Sequence, residues 1–216
     1  MTTFSLKQRI NQKINVRVSA TAVALTLFTL CLALFAYVQF GTDGLAGNDG
    51  YYHMKMGYLL RTEGLRPVFD QLPLTILQEG AFYDHHLFYH MYLALFAWVD
   101  PVVDGGAQLT FGAKLASILL PSLAFISIWW LLRSQKIAWA SLWTIGLFAL
   151  SSAFLYRMSM PRAQALSLLL LVLGMGLMLN GRYRLLLPLG FLYVWAYNAF
   201  PLLLVLAGVY FVAVYL

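Results

Sequence analysis

Charge is what this sequence has least of. Asp, Glu, Lys and Arg make up 10% of its 216 residues, where a soluble domain carries about 25%. Beside a hydrophobic content of 62%, that shortage excludes an ordinary soluble globule and points to a polytopic membrane protein. Cysteine is nearly absent. The single Cys31 has no partner, so no disulfide framework forms, and it reads as a small apolar filler. Acid is missing altogether outside residues 43–104. Nucleotide signatures are missing too: there is no GxGxxG after a strand, no Walker lysine loop and no GxSxG. That argues against a soluble nucleotide-sugar site.

What the chain has instead is apolar length. Uncharged runs cover 18–42, 115–132, 137–156, 163–181 and 185–216. A spanning helix needs about 20 mostly apolar residues, so the first four runs fit one span each. The last contains Pro188, Asn198 and Pro201 and reads as two spans with a turn near 197–201. The expected fold is all-α, a polytopic transmembrane bundle of about six spans with a long, partly helical first extracytoplasmic loop. Its parts are a cytoplasmic basic tail at 1–17, span one at 18–40, the loop at 41–108 and spans two to six over 109–216. The apolar stretch Val18 to Phe40 exceeds the usual signal-peptide core of about 7–15 residues. No clear small-residue cleavage site follows it, so it reads as an uncleaved signal anchor.

The net charge of +6 is topological. Lys7, Arg9, Lys13 and Arg17 precede span one, Arg133 and Lys136 follow span two, and Arg182 and Arg184 follow span four. With alternating spans these fall on one side, which the positive-inside rule makes cytoplasmic. The N-terminus is then cytoplasmic, and no nucleic-acid partner is implied. No eukaryotic retention signal is present, so a bacterial or archaeal plasma membrane is the expected location.

All eight acids and all four histidines lie in the 41–108 loop. Connectors usually run about 4–6 residues, so this loop is the place to look for function. "DGYYHMKMGYLLRTEG" reads as a helix after an Asp or Asn cap, stopped near Gly64. "RPVFDQLPLT" reads as extended or turn. "HHLFYHMYLALFAWVDP" reads as an interfacial helix of about four turns ending at Asp100-Pro101. The second outside loop, "LYRMSMPRAQALS", is short, with Pro161 at the first helical position of span four.

Three groups carry candidate chemistry. Asp49 caps a helix, where Asn48 is an alternative, or it is a carboxylate at the water–membrane boundary that ligates a metal or acts as a base. His86 and His90, four apart, share a helix face with Asp84 just upstream. That set reads as metal ligands, as phosphate-binding histidines, or as headgroup-level side chains. Arg157 and Arg162 sit outside against the charge trend, where a planar guanidinium fork suits phosphate and snorkelling is the plain alternative. Tyr51, His53 and His85 complete the candidate substrate-binding and phosphate-binding set.

One span, then a long outside loop opening with "NDGYYHMKMGYLL", resembles the first acidic motif of the GT-C class of integral-membrane glycosyltransferases. The nearest likeness is to the N-terminal half of the oligosaccharyltransferase catalytic subunit. Asn48-Asp49-Gly50-Tyr51 falls on that motif. "HMYLALFAWVDP", the short "RSQK" hairpin, "YRMS" and "WAYNAFPLLLVLAG" follow in the family's order. The resemblance implies transfer of a sugar or oligosaccharide from a polyprenyl-phosphate or -diphosphate carrier, on the extracytoplasmic side, to an acceptor the sequence does not identify. It implies Asp49 as catalytic base or ligand of a divalent metal (magnesium or manganese), beside the Asp84, His86 and His90 set that the spacing already offers as ligands. The chain departs from the family at "PRAQALS", where a second acidic pair belongs. It also stops inside an apolar run, as a fragment holding the N-terminal half would, and such a fragment is expected to lack part of the site. The rivals are a transporter subunit and a non-enzymatic scaffold. Transporters place charges within spans near the midplane, and none of the uncharged runs has one.

Overall fold

The computed structural model describes residues 19–67 and 84–215. The basic tail and most of "RPVFDQLPLT" lie outside the described residues. Among those described, the chain is all-helical. The first helix, α1 (Ala20–Phe40), is capped by Ser19, whose hydroxyl accepts from the Ala22 amide. Four helices fill the loop and open the bundle: α2 (Asp49–Glu63), α3 (Leu87–Ala94), α4 (Pro101–Asp104) and the long α5 (Ala107–Ser134). Five follow: α6 (Ala140–Gly146), α7 (Ser152–Ser159), α8 (Gln164–Leu179), α9 (Leu186–Ala196) and α10 (Pro201–Tyr215).

Helices α1 and α5 are long and apolar enough to cross a membrane. Helices α7 and α8 qualify as a third crossing only if the pair, bent by 102°, counts as one broken span. α1 and α5 run antiparallel, because Phe40 meets Phe111 at 5.9 Å and Phe35 meets Phe125 at 5.3 Å between ring centroids. Near the start of α1, Leu27 joins Trp129 and Ala140 in a separate apolar cluster. α8 lies along the other side of α5, with Gly176 against the Trp130 ring.

The loop helices are part of this core. Met54 of α2 and Tyr89 and Leu93 of α3 join Cys31, Phe35 and Phe125 in one buried cluster. The Tyr92 hydroxyl donates to the Ala116 carbonyl at 2.8 Å, tying α3 to α5. Burying apolar area at about 25 cal/mol per Å² is what holds an otherwise polar loop on the bundle.

α2 starts at Asp49 and stops at Gly64, and of the two cap residues the sequence offers it is Asn48 that holds the position, without a side-chain capping bond. Two expectations need correction. The "HHLFYHMYLALF" helix lasts 8 residues, not four turns. After Ala94 the chain tightens into i−3 hydrogen bonds and lays its backbone on α5. A Cβ on Gly112 would stand 2.1 Å from the Phe96 carbonyl oxygen. Pro161 is not at the first position of a helix but in the break between α7 and α8.

Candidate functional site

Two of the loop's acids serve as caps. Asp100 accepts from the Val102 amide, and Asp104 accepts from the Gly106 and Gln108 amides at 2.9 and 2.8 Å. Asp49 and Asp84 do something else, because each binds a side chain from another element.

Asp49, half-exposed in the first turn of α2, forms an ion pair with Arg162. The helix N-terminus favours its carboxylate. Arg162 reaches it because the α7–α8 break packs directly on the start of α2. A Cβ on Gly50 would come within 2.1 Å of Pro161 Cγ, so only glycine lets the Pro161 ring lie against the α2 backbone. In the last turn of α1, Gln39 donates to the Ser159 carbonyl at 2.5 Å. Arg157, at the end of α7, is exposed and has no ion-pair partner among the described residues.

Asp84 anchors a chain of three side chains. Its Oδ1 accepts from the His86 amide at 2.9 Å, and its Oδ2 accepts from His90 Nδ1 at 2.6 Å. His90 Nε2 then lies 2.7 Å from His53 Nδ1 on α2. All three are buried, His90 completely. A carboxylate only accepts, so His90 Nδ1 donates to it. With His90 neutral, its Nε2 accepts from His53 Nδ1–H, and the free lone pair falls on His53 Nε2. Burial, reinforced by His90, His86 and His85, holds His53 down to about 2. Burial also holds His86 down to about 4, with His85 next among the causes. For Asp84, burial pushes the carboxyl up, but the His90 hydrogen bond and charge outweigh it and the net direction is down.

Aromatic rings close the cluster. Tyr52 and Tyr89 pack on His53 at 5.1 and 5.5 Å between centroids. Tyr197, in the α9–α10 break, faces His86 at 5.5 Å. His85 is exposed, its ring tilted against that of His86 at 4.3 Å between centroids. His53 is four residues after Asp49, on the same side of α2, so the ion pair and the histidine chain are neighbours. Tyr51 points to a different face, where its hydroxyl accepts from the Leu45 amide at 3.2 Å.

The candidate set is thus sorted into two units. Asp49 joins Arg162, whereas Asp84, His90 and His53 join one another. His86 was the sequence's partner for His90, and its ring lies 5.8 Å away. The closer partner, His53, comes from the other helix. The legible signal for it was a lone histidine on the buried side of α2. The direct His53–His90 contact leaves no room for a divalent ion between those two nitrogens. Two imidazole nitrogens sharing a tetrahedral ion at about 2.0–2.1 Å each would stand about 3.3 Å apart, wider than the 2.7 Å found. Asp49 already faces a guanidinium. Among the described residues no three His, Cys, Asp or Glu side chains are gathered as a ligand set.

Comparison with known protein families, with curated proteins and with solved structures finds no match.

Proposed function

We propose that this chain belongs to a membrane glycosyltransferase that moves a sugar or oligosaccharide from a polyprenyl-phosphate or -diphosphate carrier to an acceptor outside the cytoplasm. The observation that carries the reading is the Asp49–Arg162 pair. It sets a carboxylate and a guanidinium side by side at one end of the bundle, where a lipid-linked phosphate would arrive. In the free protein the two neutralise each other. A donor phosphate takes Arg162 through paired hydrogen bonds and frees Asp49.

The acceptor hydroxyl oxygen then bonds to the anomeric carbon as the bond from that carbon to the phosphate oxygen breaks. The electron pair leaves on the phosphate, whose charge Arg162 stabilises. The acceptor proton passes to Asp49. The Asp84–His90–His53 chain keeps α2 fixed on α3, so Asp49 is presented from a rigid helix. No step runs through a metal.

The same reading takes the shorter apolar helices Ala140–Ala149, Tyr183–Ala196 and Pro201–Val214 as spans completed by flanking residues. That gives six spans, with the N-terminus cytoplasmic and Asp49 outside. The test is transfer from a polyprenyl-phosphate sugar by the full-length protein, with Asp49→Asn and Arg162→Ala beside wild type. Loss of about 100-fold or more is expected for Asp49→Asn, with transfer by wild type surviving a chelator. Undiminished transfer by Asp49→Asn overturns the reading.

A further inference from the structure

The face of α2 that carries Tyr51 and Lys55, four residues apart, is turned away from Asp49 and His53. With the loop after α1 and the start of α5 it encloses two cavities of about 520 and 530 Å³, which share Tyr51, Gly106 and Thr110. Lys55 lines one and Lys114 lines the other.

Lys114 is the unexpected group. It stands two turns into α5, a helix otherwise apolar enough to cross a membrane, and its residue is 5% exposed. Its Nζ donates to the Thr42 carbonyl and lies 5.5 Å from the Phe40 ring centroid. An ammonium has three donors, and the carbonyl takes one. Among the described residues Lys114 forms no ion pair. Asp43 lines the same cavity but is exposed and does not pair with it. A cation drawn out of bulk water is best held beside an anion, and none of the described side chains supplies one here.

The surroundings indicate what finishes it. The cavity lies where α1 ends and α5 begins, about 10 Å along α5 from its start, which is headgroup depth for a spanning pair. Phe40, Phe111 and Val102 line the two cavities and are 49%, 46% and 88% exposed. These are apolar walls open on one side, beside one buried cation.

We propose that this cavity binds the phosphate of an anionic membrane lipid, with Lys114 on the phosphate and Phe40 and Phe111 against the first methylenes of its chains. Because the site is on the other face of α2, it does not rest on the glycosyl-transfer reading. The test uses the purified full-length protein in detergent. Binding of phosphatidylglycerol, of phosphatidylcholine with identical chains, and of inorganic phosphate is read by native mass spectrometry and by the thermal midpoint. Phosphatidylglycerol should bind at least fivefold more tightly than phosphatidylcholine, and inorganic phosphate only at far higher concentration. Lys114→Met should abolish that preference while folding, since it replaces a buried charge with an apolar chain. Lys114→Arg should keep it. Equal binding of the two lipids by wild type overturns the proposal, as does an undiminished preference in Lys114→Met. Inorganic phosphate binding as tightly as phosphatidylglycerol overturns the lipid assignment.

Discussion

The two ends of the bundle are built by different chemistry. At the end where α1 finishes, elements distant in sequence are joined by polar side chains: Gln39 to Ser159, Asp49 to Arg162, His53 to His90 and Lys114 to Thr42. At the end where α1 starts, the joints are mainly apolar, as in the Leu27, Trp129 and Ala140 cluster, with a Trp129–Ser141 hydrogen bond at 3.1 Å and a Tyr183–Tyr210 hydroxyl pair at 3.2 Å. There Lys136, Arg182 and Arg184 stay exposed, and Arg133 lies over the Trp129 ring. Charge at that end is solvated. At the first end Asp84 and Lys114 are drawn inside, Asp84 paired with His90 and Lys114 bonded only to the Thr42 carbonyl. A polar group out of water costs more unless it is paired, so the first end is the more specified and the more easily broken.

Glycine substitutions should separate the ends most. Gly112→Leu drives a side chain into the Phe96 carbonyl, which cannot yield as a side chain would. A loss of at least about 3 kcal/mol is expected, read as a collapsed thermal midpoint in detergent. Gly146→Ala, at the end of α6 with open space around it, should change stability by less than about 0.5 kcal/mol. An equal response at both positions would remove the contrast.

Next in size is His90→Leu. It strips Asp84 and His53 of their shared partner and should cost about 2 kcal/mol by denaturant melt. A stability unchanged within error would mean that the chain does not hold α2 on α3.

The pH response follows from the same residues. His53 is held down to about 2 and His86 to about 4, against an ordinary value of 6.5. The folded protein therefore binds fewer protons than the unfolded chain below pH 6.5. Stability is fully present above that value and falls as the pH drops toward 4. The slope from His53 is about 1.4 kcal/mol per pH unit. Thermal midpoints between pH 7.5 and 4.5 should show it, and His53→Gln should flatten it.

The smallest effects compare two arginines. Arg162→Ala removes a half-exposed ion pair and Arg133→Ala an exposed cation–ring contact. Each should shift stability by only about 0.5 kcal/mol. If the functional reading holds, only the first should abolish glycosyl transfer.

Much of the first end was legible as residues, but little of it as contacts. Gly64 ending α2, the break at 197–201 and the concentration of acid and histidine in one loop follow from local rules. The pairing of Asp49 with Arg162 does not, because the residues are far apart in the chain and meet only through the α7–α8 corner. His86 and His90 looked like a pair by helical spacing, yet His90 turns its Nε2 to His53 across a helix–helix contact. Lys114 stands just ahead of the uncharged run 115–132. The helix begins earlier, at Ala107, and carries it inside.

The sequence by itself determined that this chain is helical and apolar, that its basic residues gather between apolar runs, and that its acids and histidines share one loop. Those follow from composition and short-range spacing, which act within a few residues. Only the tertiary structure decided which acid meets which base, that α3 stops after two turns on Gly112, and that Lys114 is buried. Each of these depends on close approach between elements far apart in sequence, as where Gly112 admits the Phe96 backbone and Gly50 the Pro161 ring.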